Sequence, residues 1–297
     1  MNRRSVLLVV CGTACAVGQE DYVVRSNANL VLLDVSVLGS GGVPVAGLGQ
    51  DRFSVFEDGR KQAIKQFSGV DTPVTMGFVL DMSGSMENKV GGVRRAVNAF
   101  LAASNPDDEY FLVGFNDQAR FGLNPETAPF THDSKALRSA MYGMEAKGRT
   151  ALYDGLSAAL SHIGKSKFER RFLVLVSDGR DTASRLKLDD ILFEARTHPV
   201  TVFTIGLFQA EDEDRNSGVL KQLAKITGGR YYNPVTAEQI ESACLSIAKD
   251  IRARYTIGYT PAEEDRDGVR RIRVEVARMP DAPRMSVRAR TEYRIRN

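Results

Sequence analysis

The run Val74–Leu80, VTMGFVL, leads without interruption into Asp81-Met82-Ser83-Gly84-Ser85. Seven uncharged residues, apolar apart from Thr75 and Gly77, read as a strand covered on both faces. Such strands occur in parallel sheets, whose crossover helices lie on either side; a half-exposed strand would alternate instead. The turn that follows holds three short oxygen-bearing side chains just past the strand's carboxyl end. Open α/β sheets place their ligands there.

Working outward, the same grammar repeats. Val90, Val93, Val97, Phe100 and Leu101 form one helical stripe, although the pair Gly91-Gly92 weakens that helix by ~1 kcal/mol per glycine relative to alanine. Strands are expected at Tyr110–Phe115, Phe172–Val176 (FLVLV), Val200–Ile205 and Tyr231-Tyr232, with a short edge strand at Ala119–Leu123. Helices are expected at Ser134–Met144, Thr150–Ile163, Leu188–Arg196, Val219–Thr227 and Ala237–Ala253. Strands spaced by 10–15-residue helices predict an α/β fold over residues 72–253, a doubly wound, mostly parallel sheet with helices on both faces.

The two ends read differently. Val31, Leu33, Val35 and Val37 alternate with Leu32, Asp34 and Ser36; Phe53 and Val55 begin a further strand, Asp58-Gly59 makes a hairpin turn, and Lys61–Phe67 returns. Near the other end, Tyr255–Thr260, then Ile272, Val274 and Val276, then Met285, Val287 and Ala289 alternate again. Neither end holds enough strands for a stable layer. Residues 22–70 and 254–297 are therefore expected to pair into one flanking β-sandwich, with the α/β domain inserted between them.

The 297 residues are 43% hydrophobic and 26% charged, with a formal net charge of +3. Disorder, collagen and coiled coil fit poorly, and nucleic acid is not an expected partner. Arg3 and Arg4, the apolar run Val6–Val10 and small residues up to Gly18 resemble a secretory signal peptide over residues 1–18. That run falls short of the ~20 apolar residues of a membrane span, and no later segment does better. The expected location is secreted, periplasmic or at the cell surface after cleavage. A lipoprotein is less favoured, because neither Cys11 nor Cys15 has the small and apolar residues that lipidation wants before it. Cys244 is then the only cysteine of the mature chain and reads as a small buried hydrophobe.

Chemistry gathers in three loops. They are Asp81–Ser85, Gly148-Arg149-Thr150, and Ser177-Asp178-Gly179 after FLVLV. Asp81, Ser83, Ser85, Thr150 and Asp178 would converge on one rim of the sheet. Two carboxylates and three hydroxyls suit a hard divalent cation such as Mg2+, with Mn2+ or Ca2+ as alternatives. If the carboxylates act through water, the ion stays electrophilic and seeks an outside anionic oxygen. The same residues could instead cap helices and fill turns.

Asp81–Ser85, Thr150 in GRTALYDGL and Asp178 in FLVLVSDGRD resemble the von Willebrand factor type A domain and its metal-ion-dependent adhesion site over about residues 72–250. The flanking stretches NLVLLDVSV, FSVFEDGR and YTIGYTP resemble one subgroup, the VWFA-related acidobacterial domain family. The resemblance implies that Ser83, Ser85 and Thr150 bind the metal directly or nearly so, while Asp81 and Asp178 act mainly through water. It also implies a non-enzymatic binding or adhesion module whose ion captures an Asp or Glu carboxylate of a protein partner. A metal-dependent hydrolase and a structural module whose cation only orders the loops are the alternatives.

Neighbouring residues stay open at this point. Asp154 either braces the threonine loop or faces solvent; Glu87 and Asp181 read as solvated loop charges more readily than as ligands; Arg149 and Arg180 could steer an acidic partner. Glu263–Asp267 looks like a calcium loop, but Val274 occupies the twelfth position, where a Glu is required, so a hairpin loop is expected. Glu211–Asp214 reads as a solvated acidic loop. His132, His162 and His198 have no ligand spacing and are expected to cap helices or lie at the surface. Residues 269–297 hold nine arginines and three acids, read as the wet face of an antiparallel sheet in preference to a polyanion-binding face. The sequence does not give the oligomeric state.

Overall fold

The computed structural model describes residues 30–208, 217–261, 268–278 and 285–294. The expected signal peptide and the acidic stretches 211–214 and 263–267 lie outside the described residues.

Among the described residues, the central sheet has six strands: β5 (Thr75–Asp81), β6 (Glu109–Phe115), β7 (Ala119–Phe121), β8 (Arg171–Ser177), β9 (Thr201–Gly206) and β10 (Tyr231–Tyr232). Their order is β10-β9-β8-β5-β6-β7, parallel throughout except for β7, which runs antiparallel on β6. The first strand in sequence is therefore internal, with β6 on one side and β8 on the other. The winding reverses at β5, and a crevice opens at its carboxyl end.

All seven residues of β5 are buried, as its unbroken apolar run requires. Met76, Phe78 and Leu80 pack against α1 (Val90–Ala102) and α6 (Ala237–Arg252); on that face the Phe78 and Phe100 rings meet edge to face at 5.3 Å. Val79 faces the layer of α3 (Leu152–Ile163), α4 (Leu188–Thr197) and α5 (Ser217–Thr227). Gly77 sits where any Cβ would overlap the Phe111 ring and the Leu173 side chain. Gly92, a weakness by helix propensity, lies against Ala237 and Ile240 and lets α1 approach α6 closely. Cys244 on α6 is buried, as expected. The remaining helix, α2 (Ser134–Tyr142), begins at Asp133, whose side chain accepts from the Lys135 N–H at 2.7 Å.

Among the described residues, the chain ends build two four-stranded antiparallel sheets. The elements are β1 (Val31–Leu38), β2 (Phe53–Glu57), β3 (Arg60–Gln62), β4 (Ile64–Ser68), β11 (Tyr255–Tyr259), β12 (Val269–Val276), β13 (Ser286–Arg288) and β14 (Glu292–Arg294). One sheet runs β13-β1-β11-β4 and the other β14-β12-β2-β3, so both combine strands from the two ends. Leu33, Val35, Phe53, Val55, Ile257 and Ile272 share the core between them. The expected single return strand Lys61–Phe67 divides at Ala63. Its first part completes a hairpin with β2 through Asp58 and Gly59, both at positive φ, and its second part crosses to pair with β11. Sandwich corners are made this way, by a chain that switches sheets.

The arginine-rich end is a wet face only in part: Val269, Arg271, Arg273 and Glu275 alternate outward along β12, but two arginines are buried. Arg270 points inward and donates to Glu57 Oε1 at 2.9 Å, while Glu57 Oε2 accepts from the Tyr259 and Tyr293 hydroxyls at 2.6 and 2.8 Å. Arg290 is buried, and its guanidinium donates to the carbonyls of Ala195, Arg196, His198 and Val200, closing the end of α4. Burial pushes the Arg290 pKa down to about 10, which leaves it charged at neutral pH. Five donors in a rigid fork suit a cluster of carbonyls, as a lysine would not. Among the described residues, no helix is long and apolar enough to cross a membrane.

His162 is also a core residue and not a surface one. It is 3% exposed among Phe111, Phe121 and Phe130, with centroids 4.8, 4.7 and 5.0 Å away, and Nε2 lies 2.7 Å from the Pro129 carbonyl. Burial holds its pKa below the usual 6.5. The folded chain thus resists a proton that the unfolded chain accepts below about pH 6.5. Stability from this source is complete above that pH and is lost as pH falls towards the lower folded pKa. Urea midpoints measured between pH 8 and pH 5 should fall in the native chain and fall less steeply in His162→Gln.

Candidate metal centre

Asp81 is the last residue of β5, and the chain turns sharply after it. Met82 N–H still donates to the Phe115 carbonyl at 2.7 Å, and then a short 3-10 turn at Gly84–Met86 leads into α1. Asp81 fixes this turn by accepting from the Ser83 N–H at 2.9 Å. Its other oxygen accepts from the Ser177 hydroxyl at 2.6 Å, tying the end of β5 to the end of β8.

Asp178 follows β8 immediately. Its Oδ2 accepts from the Ser85 hydroxyl at 2.7 Å, and the Ser83 and Ser85 oxygens are 3.1 Å apart. Its Oδ1 accepts from the Arg180 N–H at 3.1 Å. Asp81, Ser83 and Asp178 are almost wholly buried, whereas Ser85 is exposed, so the cluster meets solvent on the Ser85 side.

Thr150 is buried on the third loop. That loop is joined to the first by the Gly84 N–H, which donates to the Gly148 carbonyl at 3.0 Å, and by the Lys147 N–H, which donates to the Met82 carbonyl at 2.8 Å. Gly148 has φ +81°, and a Cβ there would run into the Asp117 carboxylate. The Thr150 backbone is clasped by the loop after β8: its N–H donates to Thr182 Oγ1 at 3.1 Å, and its carbonyl accepts from the N–H groups of Thr182 and Ala183. All five expected residues therefore stand on mutually bonded loops. Direct side-chain hydrogen bonds link Ser83, Ser85 and Asp178, while Ser177 and the Ser83 backbone join Asp81 to them.

Burial pushes the Asp81 carboxyl up to about 6, against the hydrogen bonds from Ser177 and Ser83, and the charge of Asp178 raises it further. Arg180 Nε stands 4.0 Å from Asp178 Oδ2, at the limit of an ion pair. Two carboxylates withdrawn from water, with hydroxyl neighbours, fit a divalent cation, which would offset the charge that burial penalises. Among the described residues, no three His, Cys, Asp or Glu side chains form a metal-holding group. Any ion here depends on the hydroxyls.

The neighbours resolve in different ways, and Glu87 alone stays the solvated charge its sequence reading has it. Asp181 is not a solvated loop charge: it accepts from the Leu152 N–H at 2.9 Å and from the Ser184 hydroxyl, and Ser184 accepts from the Tyr153 and Asp154 N–H groups. Together they satisfy the open N-terminus of α3, which its own preceding residue Ala151 leaves uncapped. Asp154 braces the loop after β8 by accepting from the Arg185 and Leu186 N–H groups at 3.2 and 3.1 Å. Arg149 is paired with Asp117 at 2.9 Å, and Glu87 is exposed. Ser177, Thr182 and Ser184 escaped the sequence reading. Their hydroxyls lie in plain view in VSDGRDTAS, but their partners are some 30 or nearly 100 positions away.

Residues 76–180 match the family model of the von Willebrand factor type A domain. An uncharacterized protein of Synechocystis is 26% identical over 163 residues, covering 53% of this chain and 36% of that protein. Human inter-alpha-trypsin inhibitor heavy chain H4 is 24% identical over 203 residues, covering 63% of this chain and 21% of that protein. This chain thus spans well under two thirds of either relative. A von Willebrand factor type A structure from Catenulispora acidiphila superposes with a TM-score of 0.55 at 14% identity, over 91% of this chain and 75% of that one, and shows the shared fold. Domains of this kind are typically protein-interaction modules.

Removing the Asp181 carboxylate should expose the first turn of α3. Asp181→Ala is expected to lower stability by about 1 kcal/mol, the ordinary worth of a lost helix cap, read as a shift in the urea midpoint.

Proposed function

With a von Willebrand factor type A domain at residues 76–180, we propose that this protein is an exported, non-enzymatic binding module. A divalent cation, Mg2+ or its neighbours Mn2+ and Ca2+, is held by Ser83, Ser85 and Thr150, with Asp81 and Asp178 acting mainly through water. The observation that carries this reading is the burial of two carboxylates against serine hydroxyls at the point where the sheet's winding reverses. Hydroxyl ligands leave most of the ion's charge unspent, so an Asp or Glu carboxylate from a protein partner completes the site. The bound ion supplies electrostatic capture of that carboxylate. The chain's own part is to orient the hydroxyls and to keep both aspartates out of bulk water.

The three histidines favour binding over hydrolysis, since each is engaged away from the cluster. His162 lies in its aromatic box, while Nδ1 of His132 and of His198 lies 2.9 Å from the Asp108 and Glu194 carbonyls. None stands by the cluster as a general base. Export rests on the expected signal peptide.

Calorimetric titration of the native chain with Mg2+ and Mn2+ should give a single site. Asp81→Asn and Asp178→Asn should weaken it by at least about tenfold, the usual effect of losing a supporting group. Added acetate should tighten binding if the ion takes an outside carboxylate. Equal metal affinity in native and variant chains would refute the assignment, and turnover in a hydrolase screen of metal-loaded protein would refute the non-enzymatic reading.

A further inference from the structure

Beside the candidate metal centre lies a groove of about 400 Å3 that none of the chemistry above uses. It begins at Met82, the residue between Asp81 and Ser83, and runs between the β6–β7 edge of the sheet and the end of α2. Its floor is soft and apolar: Met82, Met144, Phe115 and Phe121, with Ala140 on the α2 wall. Gly114 makes room for this floor. A Cβ there would collide with the Met144 sulfur, so the bare backbone lets Met144 lie against the strand beside Met82.

The polar groups of the groove are one-sided. Asn116 spends its carbonyl on the Ala151 N–H and its side-chain oxygen on the Gln118 N–H. Among the described residues, neither its amide nitrogen nor the exposed Arg120 guanidinium has a hydrogen-bond or ion-pair partner. The lining acid, Glu145, is already paired with Lys147 at 2.7 Å. The groove thus offers unspent donors and a positive charge above an apolar floor. A free metal ion or a cationic ligand gains nothing there; a peptide does, because its carbonyls and an acidic side chain accept while an apolar side chain fills the floor. Methionine-rich floors adapt to several shapes, since the thioether side chain is flexible and polarisable.

We propose that the groove is the specificity pocket of the binding site, and that its occupant is an extended peptide segment of a protein partner in which the captured Asp or Glu is flanked by a large apolar residue such as Leu, Met or Phe. The proposal rests on the metal-centred reading above. The carboxylate anchors at the Asp81–Ser85 turn, the neighbouring apolar side chain enters between Met82 and Met144, and Arg120 and Asn116 face the acidic, carbonyl-rich strand of the peptide.

The test is a peptide array probed with the full chain in Mg2+ and again in EDTA. Each peptide carries one aspartate, with its neighbours varied among Gly, Leu, Met and Phe, beside a matched set with asparagine in its place. Binding should require both Mg2+ and aspartate, and should be about tenfold stronger with a large apolar neighbour than with glycine, as expected for burying one such side chain. Ala140→Phe should bring that ratio close to one, and Arg120→Glu, on an exposed edge, should weaken binding to every aspartate peptide. If Ala140→Phe fails to fold by circular dichroism, the native ratio and Arg120→Glu still decide. Binding that needs Mg2+ and aspartate but ignores the neighbour overturns the groove and leaves the metal reading standing. A neighbour preference that survives EDTA and asparagine overturns the linkage of groove to metal, and no binding by any aspartate peptide overturns both.

Discussion

Asp81 is a carboxylate at the buried end of a strand that has no exposed residue, and its charge must be answered locally. A carboxylate withdrawn from water is costly unless hydrogen-bonded and compensated. Here the answer comes from Ser177 and the Ser83 N–H, with Asp178 as a second buried acid close by. Much of the rim follows from that requirement. The turn after β5 closes onto Asp81; the end of β8 is pinned to it through Ser177; and the third loop is drawn in by Gly84 and Gly148. The reversal of winding that splits β6 and β8 to opposite sides of β5 keeps this charge in a crevice and not under a helix.

The opposite end of the sheet is held by arginines rather than by apolar contact. Arg170, just before β8, pairs with Asp34 of β1 at 3.0 Å and donates to the Ile251 carbonyl at 2.7 Å. Arg254, with no exposed side-chain surface, reaches Asp250, the Gly228 carbonyl and the Asp34 carbonyl. Arg290 closes α4. Each of these side chains bridges the α/β domain and the sandwich. A junction made of directed, charged hydrogen bonds tolerates little sliding, because moving it would strand a buried guanidinium. The two parts are joined at one pole while the candidate metal centre lies at the other.

The architecture was readable because its signals are local. VTMGFVL and FLVLV are short unbroken apolar runs that end in turn residues, as doubly covered strands do, and the helices between them carry plain apolar stripes. The meeting of the loops that carry Asp81, Ser83, Ser85, Thr150 and Asp178 was legible because each loop follows a buried strand or precedes a helix at the same rim of the sheet. What escaped was decided by distant pairing. Asp181 reads as one more exposed acid until its place at the N-terminus of α3 is known. His162 looks like a helix end, since the three phenylalanines around it come from other elements. Arg270 and Arg290 sit in an alternating, charge-rich stretch that normally marks a wet sheet face, and only Glu57 and the carbonyls of α4 turn them inward. The break at Ala63 was hidden because Lys61–Phe67 is continuous as a pattern but divided between two sheets.

The interleaving of the two chain ends also imposes an order of assembly. Among the described residues, β1 is bonded to β11 and β13 and to no strand of its own half, and β2 joins β12, so the first four strands form no finished layer by themselves. During synthesis they emerge first and wait, edges unpaired, while roughly two hundred residues of α/β domain are made and folded. Such waiting strands are open to pairing with the wrong chain, and closing a sandwich across so long a loop is slow. The inserted domain therefore also works as a folding template: once formed, it brings the two ends of the chain to one pole, where the late strands can find the early ones.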